Sequence, residues 1–345
     1  MESAFGAELD ASFADLFAAY DATPGLAVTV LGKRGTWQGA YGVMDVATQA
    51  PMQADATFRI ASVTKTFVAA AALRLAEEGR IELDISCSAW LGAQSLTLLD
   101  SFGFDAEAIS VRHLLQHTSG LADFASSPEY HQAVKAAPSR RWTRAEQVAI
   151  GLAVGGPSAK PGQAFCYSDT GYVLLGEILE RVTGMDLGQV LRSHLGFDAL
   201  HMSSTYLESI EPVPTQAGPR AGQYVATSDI RGMDPSMDLY GGGGLVSTTG
   251  DLACFARALF SGALYETSAS LDTMLTQQSA LGAEGWGSGV FRLPDPRGEW
   301  WGHTGYWGVV MAHHLPSQTS LAAVSTQLLG QGGINVTRLV ELVNV

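Results

Sequence analysis

Apolar positions recur along this chain in two rhythms, and their order sets the expected architecture. Phe5, Leu9, Phe13, Phe17 and Tyr20 return at helical spacing, which predicts an amphipathic opening helix stopped by Pro24-Gly25. LAVTVL (26–31) and TWQGAYGV (36–43) read as two strands joined by a turn at 32–35, so the helix leads into a hairpin. At the far end VVMAHHLP (309–316) and SLAAVSTQLL (320–329) read as two more strands, and INVTRLVELVNV (334–345) as a closing helix. Strands near both ends with helices outside them predict one α/β layer built from the two termini. The middle differs. FVAAAALRLAEEGR (67–80), VRHLLQHTSG (111–120) and GYVLLGEILERVTG (171–184) are helical patterns ending at glycines, with Gly120 expected at a C′ position. Residues from about 66 to 225 therefore read as a helical region inserted into the layer. Two domains are expected, 1–65 with 226–345 and 66–225, with a site at their interface. The run Gly241–Gly244 lacks the lysine of a phosphate loop, so a mobile or tightly approached turn is expected there.

Composition narrows the function classes. Charged residues make up 16% of the chain and hydrophobic ones 46%, a balance that can fill a core. With 34 acidic against 20 basic residues, and no basic run, nucleic acid and acidic membrane surfaces are poor partners. No stretch of about 18 apolar residues occurs, so no membrane span is expected. Cys87, Cys166 and Cys254 are too far apart for a Cys-x-x-Cys site, and no disulfide framework is expected. MESAFGAELDASFADLF has neither the basic nor the apolar region of a secretory signal. A cytoplasmic protein is expected, or a periplasmic or secreted one if a signal was removed.

Candidate chemistry begins at one lysine. Lysines stand at 33, 65, 135 and 160, and Lys65 alone opens an almost wholly apolar helix, in FRIASVTKTFVAAAALRLA. A buried ammonium is costly unless it is paired or loses its proton. Ser62 lies three residues earlier, on the same helix face, at a helix start where free N–H groups favour negative charge. A serine needs a base to become a nucleophile, and a desolvated lysine can serve. The plainer reading is a capping serine beside a snorkelling lysine. Further along come FCYSDTGY, with Tyr167, Ser168 and Asp169 before a helix, and WWGHTGYWG (300–308), with His303, Thr304 and Gly305 at the apparent head of a strand. Ser-x-x-Lys, a second polar motif and a final x-Thr-Gly stand in the order used by penicillin-recognising enzymes.

On these segments the chain resembles the serine β-lactamase and penicillin-binding-protein superfamily. The likeness is strongest to the branch of class C β-lactamases, D-alanyl-D-alanine carboxypeptidases, D-amino-acid amidases and related esterases. FRIASVTKTF, LLQHTSGL, YSDTGYVLLGEILERVTG, YGGGGLVSTTGDLACFARAL and GHTGYWG carry the resemblance, from about Phe58 to Thr326. It implies a β-lactamase/transpeptidase-like fold, an antiparallel sheet flanked by helices with the helical insert beside it. It also implies that Ser62 is acylated and that Lys65 and Tyr167 share the proton work. The backbone N–H groups of Ser62 and Tyr306 would form the oxyanion hole, where one lost donor costs ~10²–10³ in rate. Asp169, His303, Thr304, Gly305 and Trp307 would line the substrate. No cofactor is implied.

Two positions depart from the family pattern. His303 stands where many relatives carry lysine; a neutral imidazole there could still hydrogen-bond Tyr167 but brings less positive charge. Asp169 stands where Asn is usual. An ionised Asp only accepts, so it would pair with Lys65 or a substrate amine, hold Lys65 protonated and move the base role towards Tyr167. A plain helix N-cap is the alternative for Asp169. Together the departures weaken the β-lactamase and carboxypeptidase readings. They favour a small ester or amide, or a D-amino-acid-containing peptide, with a non-catalytic ligand- or protein-binding relative as the other class. Among the other histidines, His113 and His117 sit four apart on a predicted helix but lack any H-E-x-x-H context, so no metal is expected. His313 and His314 alternate on a strand, and a surface role is expected for them. Trp300, Trp301, Tyr306 and Trp307 are expected to serve as core and cleft wall together.

Overall fold

The computed structural model describes residues 4–277, 279–328 and 333–343. Its main sheet has seven strands: β1 (Gly25–Gly32), β2 (Gly35–Asp45), β3 (Ala50–Pro51), β4 (Phe291–Asp295), β5 (Gly298–Gly305), β6 (Val309–His314) and β7 (Thr319–Ser325). Their order is β3-β2-β1-β7-β6-β5-β4, antiparallel throughout. β1 lies against β7 in register from Leu26↔Ser325 to Leu31↔Ser320, so the two ends of the chain close the sheet at its centre. The layer built from both termini is what the sequence pattern predicts.

Both faces of this sheet are covered. Helices α1 (Ala4–Ala18) and, near the C-terminus, Val336–Leu342 lay Phe5, Leu9, Phe13, Leu339 and Val340 on Leu26, Val28, Val30, Trp300 and Val310. Phe13 stacks on Trp37, ring centres 5.1 Å apart. The opposite face presents Ala27, Val309, Met311, Ala322 and Val324 to a second, larger apolar cluster that includes helix Thr249–Phe260. Strands buried on both sides read as continuous apolar runs rather than alternations, which is why LAVTVL and SLAAVS show no polar face.

That double cover corrects two expectations. His313 and His314 are buried, not on the surface. His313 Nδ1 lies 2.8 Å from Ser320 Oγ with its ring stacked on Phe260, and His314 Nδ1 lies 2.8 Å from Ser317 Oγ. WWGHTGYWG is not the head of a strand either. Trp300 to Gly305 end β5, and Tyr306 to Gly308 turn the chain into β6.

Helices α2 (Thr64–Glu77) and α3 (Asp169–Thr183) stand beside the sheet, with helices 93–101, 111–115, 128–136 and 144–154 between them and 187–194 after α3. A 3₁₀ turn, Ala61–Val63, runs straight into α2, so this helix begins three residues before the predicted start. Gly184, at φ 74°, caps α3 as its glycine predicts. The helix expected over 111–120 is only Val111–Leu115, and its left-handed exit residue is His117 at φ 56°, not Gly120. His113 is occupied in that helix's capping box, where its Nδ1 accepts from the Ser110 N–H at 3.1 Å. The tetraglycine is a tightly approached turn. A Cβ on Gly241 would come within 2.3 Å of the Tyr172 carbonyl oxygen, and one on Gly243 within 2.4 Å of the Asp238 carboxylate.

Candidate active site

Four stretches converge at the N-terminus of α2. Ser62 sits on the 3₁₀ turn, part-exposed, directly after Ala61, whose φ of 46° is the left-handed strain often stored beside reactive groups. Lys65, on the first turn of α2, is wholly buried. Its Nζ donates to Ser62 Oγ at 3.1 Å and to the Gly242 carbonyl at 2.7 Å, and it forms an ion pair with Asp169. The Tyr167 hydroxyl lies beside both Lys65 and Ser62, and the ammonium is 4.9 Å from the centre of the Tyr167 ring. The β5 end completes the group: a Cβ on Gly305 would meet the Ile60 carbonyl oxygen at 2.2 Å, so only glycine lets β5 press against the Ser62 turn.

Asp169 is not the N-cap of α3. Ser168 fills that place, its Oγ accepting from the Gly171 N–H at 3.1 Å. Freed from capping, the Asp169 carboxylate turns to Lys65, while its N–H donates to Asp123 Oδ1 at 3.2 Å.

Electrostatics follow from this packing. Burial pulls the Lys65 ammonium towards losing its proton, but Asp169 and Tyr167 reverse that pull and leave it above the ordinary lysine value. Burial pushes the Tyr167 phenol up to about 12, against the opposing field of Lys65. In the free protein near neutral pH, Lys65 and Tyr167 therefore both hold their protons. His303 is pushed down to about 3 by burial and by Lys65, so it is neutral. The expected His303–Tyr167 hydrogen bond is absent from its geometry: Nδ1 donates to the Thr304 carbonyl at 2.7 Å, and the two ring centres are 6.2 Å apart.

Several groups in the site escaped the sequence reading. Asp123 and Asp238 flank Asp169, and both carboxyls lie well above the ordinary carboxylate range, through burial first and then the Asp169 charge. Trp307 lies against Asp238 and is part-buried, whereas Tyr306 is 51% exposed. The aromatic wall next to His303 comes instead from Phe165, Trp286 and Phe291. Trp286 is 4.9 Å from each of the other two, and Phe291 is 5.4 Å from His303, centre to centre. His117 stacks on Tyr167. Trp300 and Trp301 are buried core. No helix among the described residues is long and apolar enough to cross a membrane, and no cluster of metal-ligating side chains occurs among them.

Comparison with known proteins gives this geometry a family. The family model described as Beta-lactamase matches residues 13–344. Esterase EstB of Burkholderia gladioli is 29% identical over 306 residues, 78% of this chain and 76% of the relative. Penicillin-binding protein 4* of Bacillus subtilis (strain 168) is 27% identical over 195 residues, 53% of this chain but 39% of that longer protein. Among solved structures, the D-stereospecific amidohydrolase from Streptomyces sp. superposes with a TM-score of 0.83 at 26% identity, covering 97% of both chains. The D-amino acid amidase from Ochrobactrum anthropi SV3 gives 0.80 at 25%, covering 99% of this chain and 98% of that one. The match runs nearly end to end, and on it the chain belongs to the beta-lactamase family.

Proposed function

We propose that the protein is a serine hydrolase that forms an acyl-enzyme on Ser62 from a small ester or amide. The observation that carries this is the buried Lys65 amine, 3.1 Å from a part-exposed Ser62 hydroxyl with Tyr167 beside both. A ligand-binding module gains nothing from burying a titratable amine against a hydroxyl.

The Asp169 carboxylate decides which substrates start the reaction. While it pairs with Lys65, neither Lys65 nor Tyr167 has room for the Ser62 proton. A substrate ammonium that competes for Asp169 removes the charge that keeps Lys65 protonated, and Lys65 releases its proton to solvent. Ser62 Oγ then bonds to the substrate carbonyl carbon as its proton passes to the Lys65 amine. The backbone N–H groups of Ser62 and Tyr306 receive the developing oxyanion. That proton moves on by way of Tyr167 to the leaving alcohol or amine as the acyl bond breaks, and water later releases the acid by the reverse route. His303, Thr304, Gly305 and Trp307 border the bound substrate in this reading. Phe165, Trp286 and Phe291 favour an apolar or aromatic side chain on the substrate. The amidase relatives, one of them complexed with L-phenylalanine amide, fit that choice.

The test is hydrolysis of phenylalanine amide and phenylalanine ester, in D and L forms, beside analogues lacking the amine. Faster turnover of the amine-bearing substrates, abolished by Ser62→Ala, is expected. No turnover of any of them by folded protein would leave a binding relative as the better reading, with Lys65 locked by Asp169. Equal turnover with and without the amine would keep the hydrolase but overturn the role given to Asp169.

A further inference from the structure

We infer that His117 is a positioning residue that holds Tyr167 in line with Lys65 and Ser62. The inference rests on the proposal that Tyr167 relays the proton. The carbonyl and the imidazole of His117 make three contacts that grip three consecutive residues. Its carbonyl accepts from the Cys166 N–H at 2.8 Å. Its ring lies against the Tyr167 ring, centres 4.4 Å apart and planes 27° from parallel. Its Nδ1 accepts from the Ser168 N–H at 3.1 Å. The segment that presents the phenol is thus clamped before, at and after Tyr167.

The residue type follows from these demands. An acceptor at Nδ1 fixes the neutral tautomer with its proton on Nε2. Burial, Lys65 and His303 all push the imidazole well below its ordinary value, so the acceptor persists across the working pH range. Phe could supply the stack but no acceptor. Asn could supply the acceptor and tolerate a φ of 56°, but not the stack. Ala supplies neither. His is also among the residues that adopt the left-handed backbone found at this place more readily than most. Tyr172 and Phe165, with ring centres at 5.0 and 5.7 Å, close around the imidazole and keep it from turning.

What the clamp controls is geometry at the phenol. A misplacement of about 1 Å in a proton-transfer group costs about 10²-fold in rate. The effect belongs to the acylation step and not to substrate affinity, because His117 is buried behind Tyr167 and meets the wall residues Phe165 and Trp286 without itself being open to substrate.

The experiment is a double-mutant cycle in the full chain, with thermal melting as a check on folding. The rate of Ser62 labelling by a fluorophosphonate and the kcat and KM for an ester are measured for wild type, His117→Ala, His117→Asn, Tyr167→Phe and the two double variants. We expect His117→Ala to lower kcat and labelling about 10²-fold with KM little changed, and His117→Asn to recover about tenfold of that loss. In the Tyr167→Phe background either His117 change should cost less than about threefold more. Should His117→Ala fail to fold, the His117→Asn arm carries the same cycle. A normal rate in folded His117 variants, or full additivity with Tyr167→Phe, would overturn the positioning role alone. Wild-type rates in Tyr167→Phe itself would overturn the relay on which it rests.

Discussion

Two buried cations lie within one stretch of this chain, Arg59 and Lys65, and they are buried for opposite purposes. Arg59 is fully answered by groups that stay in place. Its Nε donates to Glu208 at 2.7 Å, Nη1 to the Ile230 carbonyl at 2.9 Å and Nη2 to the Met233 carbonyl at 2.7 Å. Lys65 spends one donor on a carbonyl, but the others go to a hydroxyl at the cleft and to a carboxylate that borders it. A guanidinium cannot give up its proton in a protein, whereas an amine can. Burial of a charge therefore marks a working site only when the charge can leave and its partners can react.

The sharpest break in the comparison is a swap of phenotypes. Lys65→Met should lower ester turnover about 10³-fold while the protein remains folded at assay temperature. Arg59→Ala should do the reverse, costing about 3 kcal/mol in urea unfolding with turnover per folded molecule kept within about tenfold. Loss of activity without loss of stability at Arg59 would erase the distinction.

A smaller effect separates the two carboxylate partners. Asp169 helps to hold Lys65 above its ordinary value, so Asp169→Asn should move the rising limb of the kcat/KM profile, where Lys65 loses its proton, to lower pH. Turnover of uncharged esters near neutral pH should then rise about tenfold, while the preference for amine-bearing substrates disappears. An unmoved limb would show that Asp169 does not set the Lys65 proton.

The smallest expected effect is on stability. The Asp123 carboxyl is raised on folding, so the folded state binds a proton that the unfolded state has released. That contribution is complete below the ordinary carboxylate value and is lost as pH rises through the raised one. Asp123→Asn keeps an acceptor for the Ala125 and Asp169 N–H groups, and should shrink the fall in Tm between pH 5 and pH 8 by about 2 °C.

How much of this was legible in the sequence depended on distance along the chain. Ser62 and Lys65 share one helical turn, so their spacing alone placed them together, and the runs at 26–31 and 320–325 announced the paired central strands. The run expected to continue to 329 leaves the strand after Ser325 and ends outside the described residues. The role of the tetraglycine was half visible: glycines implied a close approach, but not that the Gly242 carbonyl would take a lysine proton donor. His117, Asp123, Asp238, Trp286 and Phe165 meet only after long loops fold back, and no local rhythm records such a meeting. The reading of His313 and His314 as surface residues failed because it assumed a half-exposed sheet, and helices cover both faces here. Gly120 misled because a histidine, not a glycine, adopts the left-handed exit from that helix, for the clamp it makes on Tyr167.

The central claim is that Ser62 is a nucleophile activated by its buried lysine. Intact-mass measurement after incubation with a fluorophosphonate tests it most directly, with a penicillin in a parallel sample. The account predicts one fluorophosphonate adduct per wild-type chain, formed slowly near neutral pH while Asp169 holds Lys65 protonated and faster as pH rises. It predicts none on folded Ser62→Ala, and slow or no gain of mass from the carboxylated penicillin. A folded wild-type chain that gains no mass from either reagent, or an equal adduct on Ser62→Ala, would contradict it.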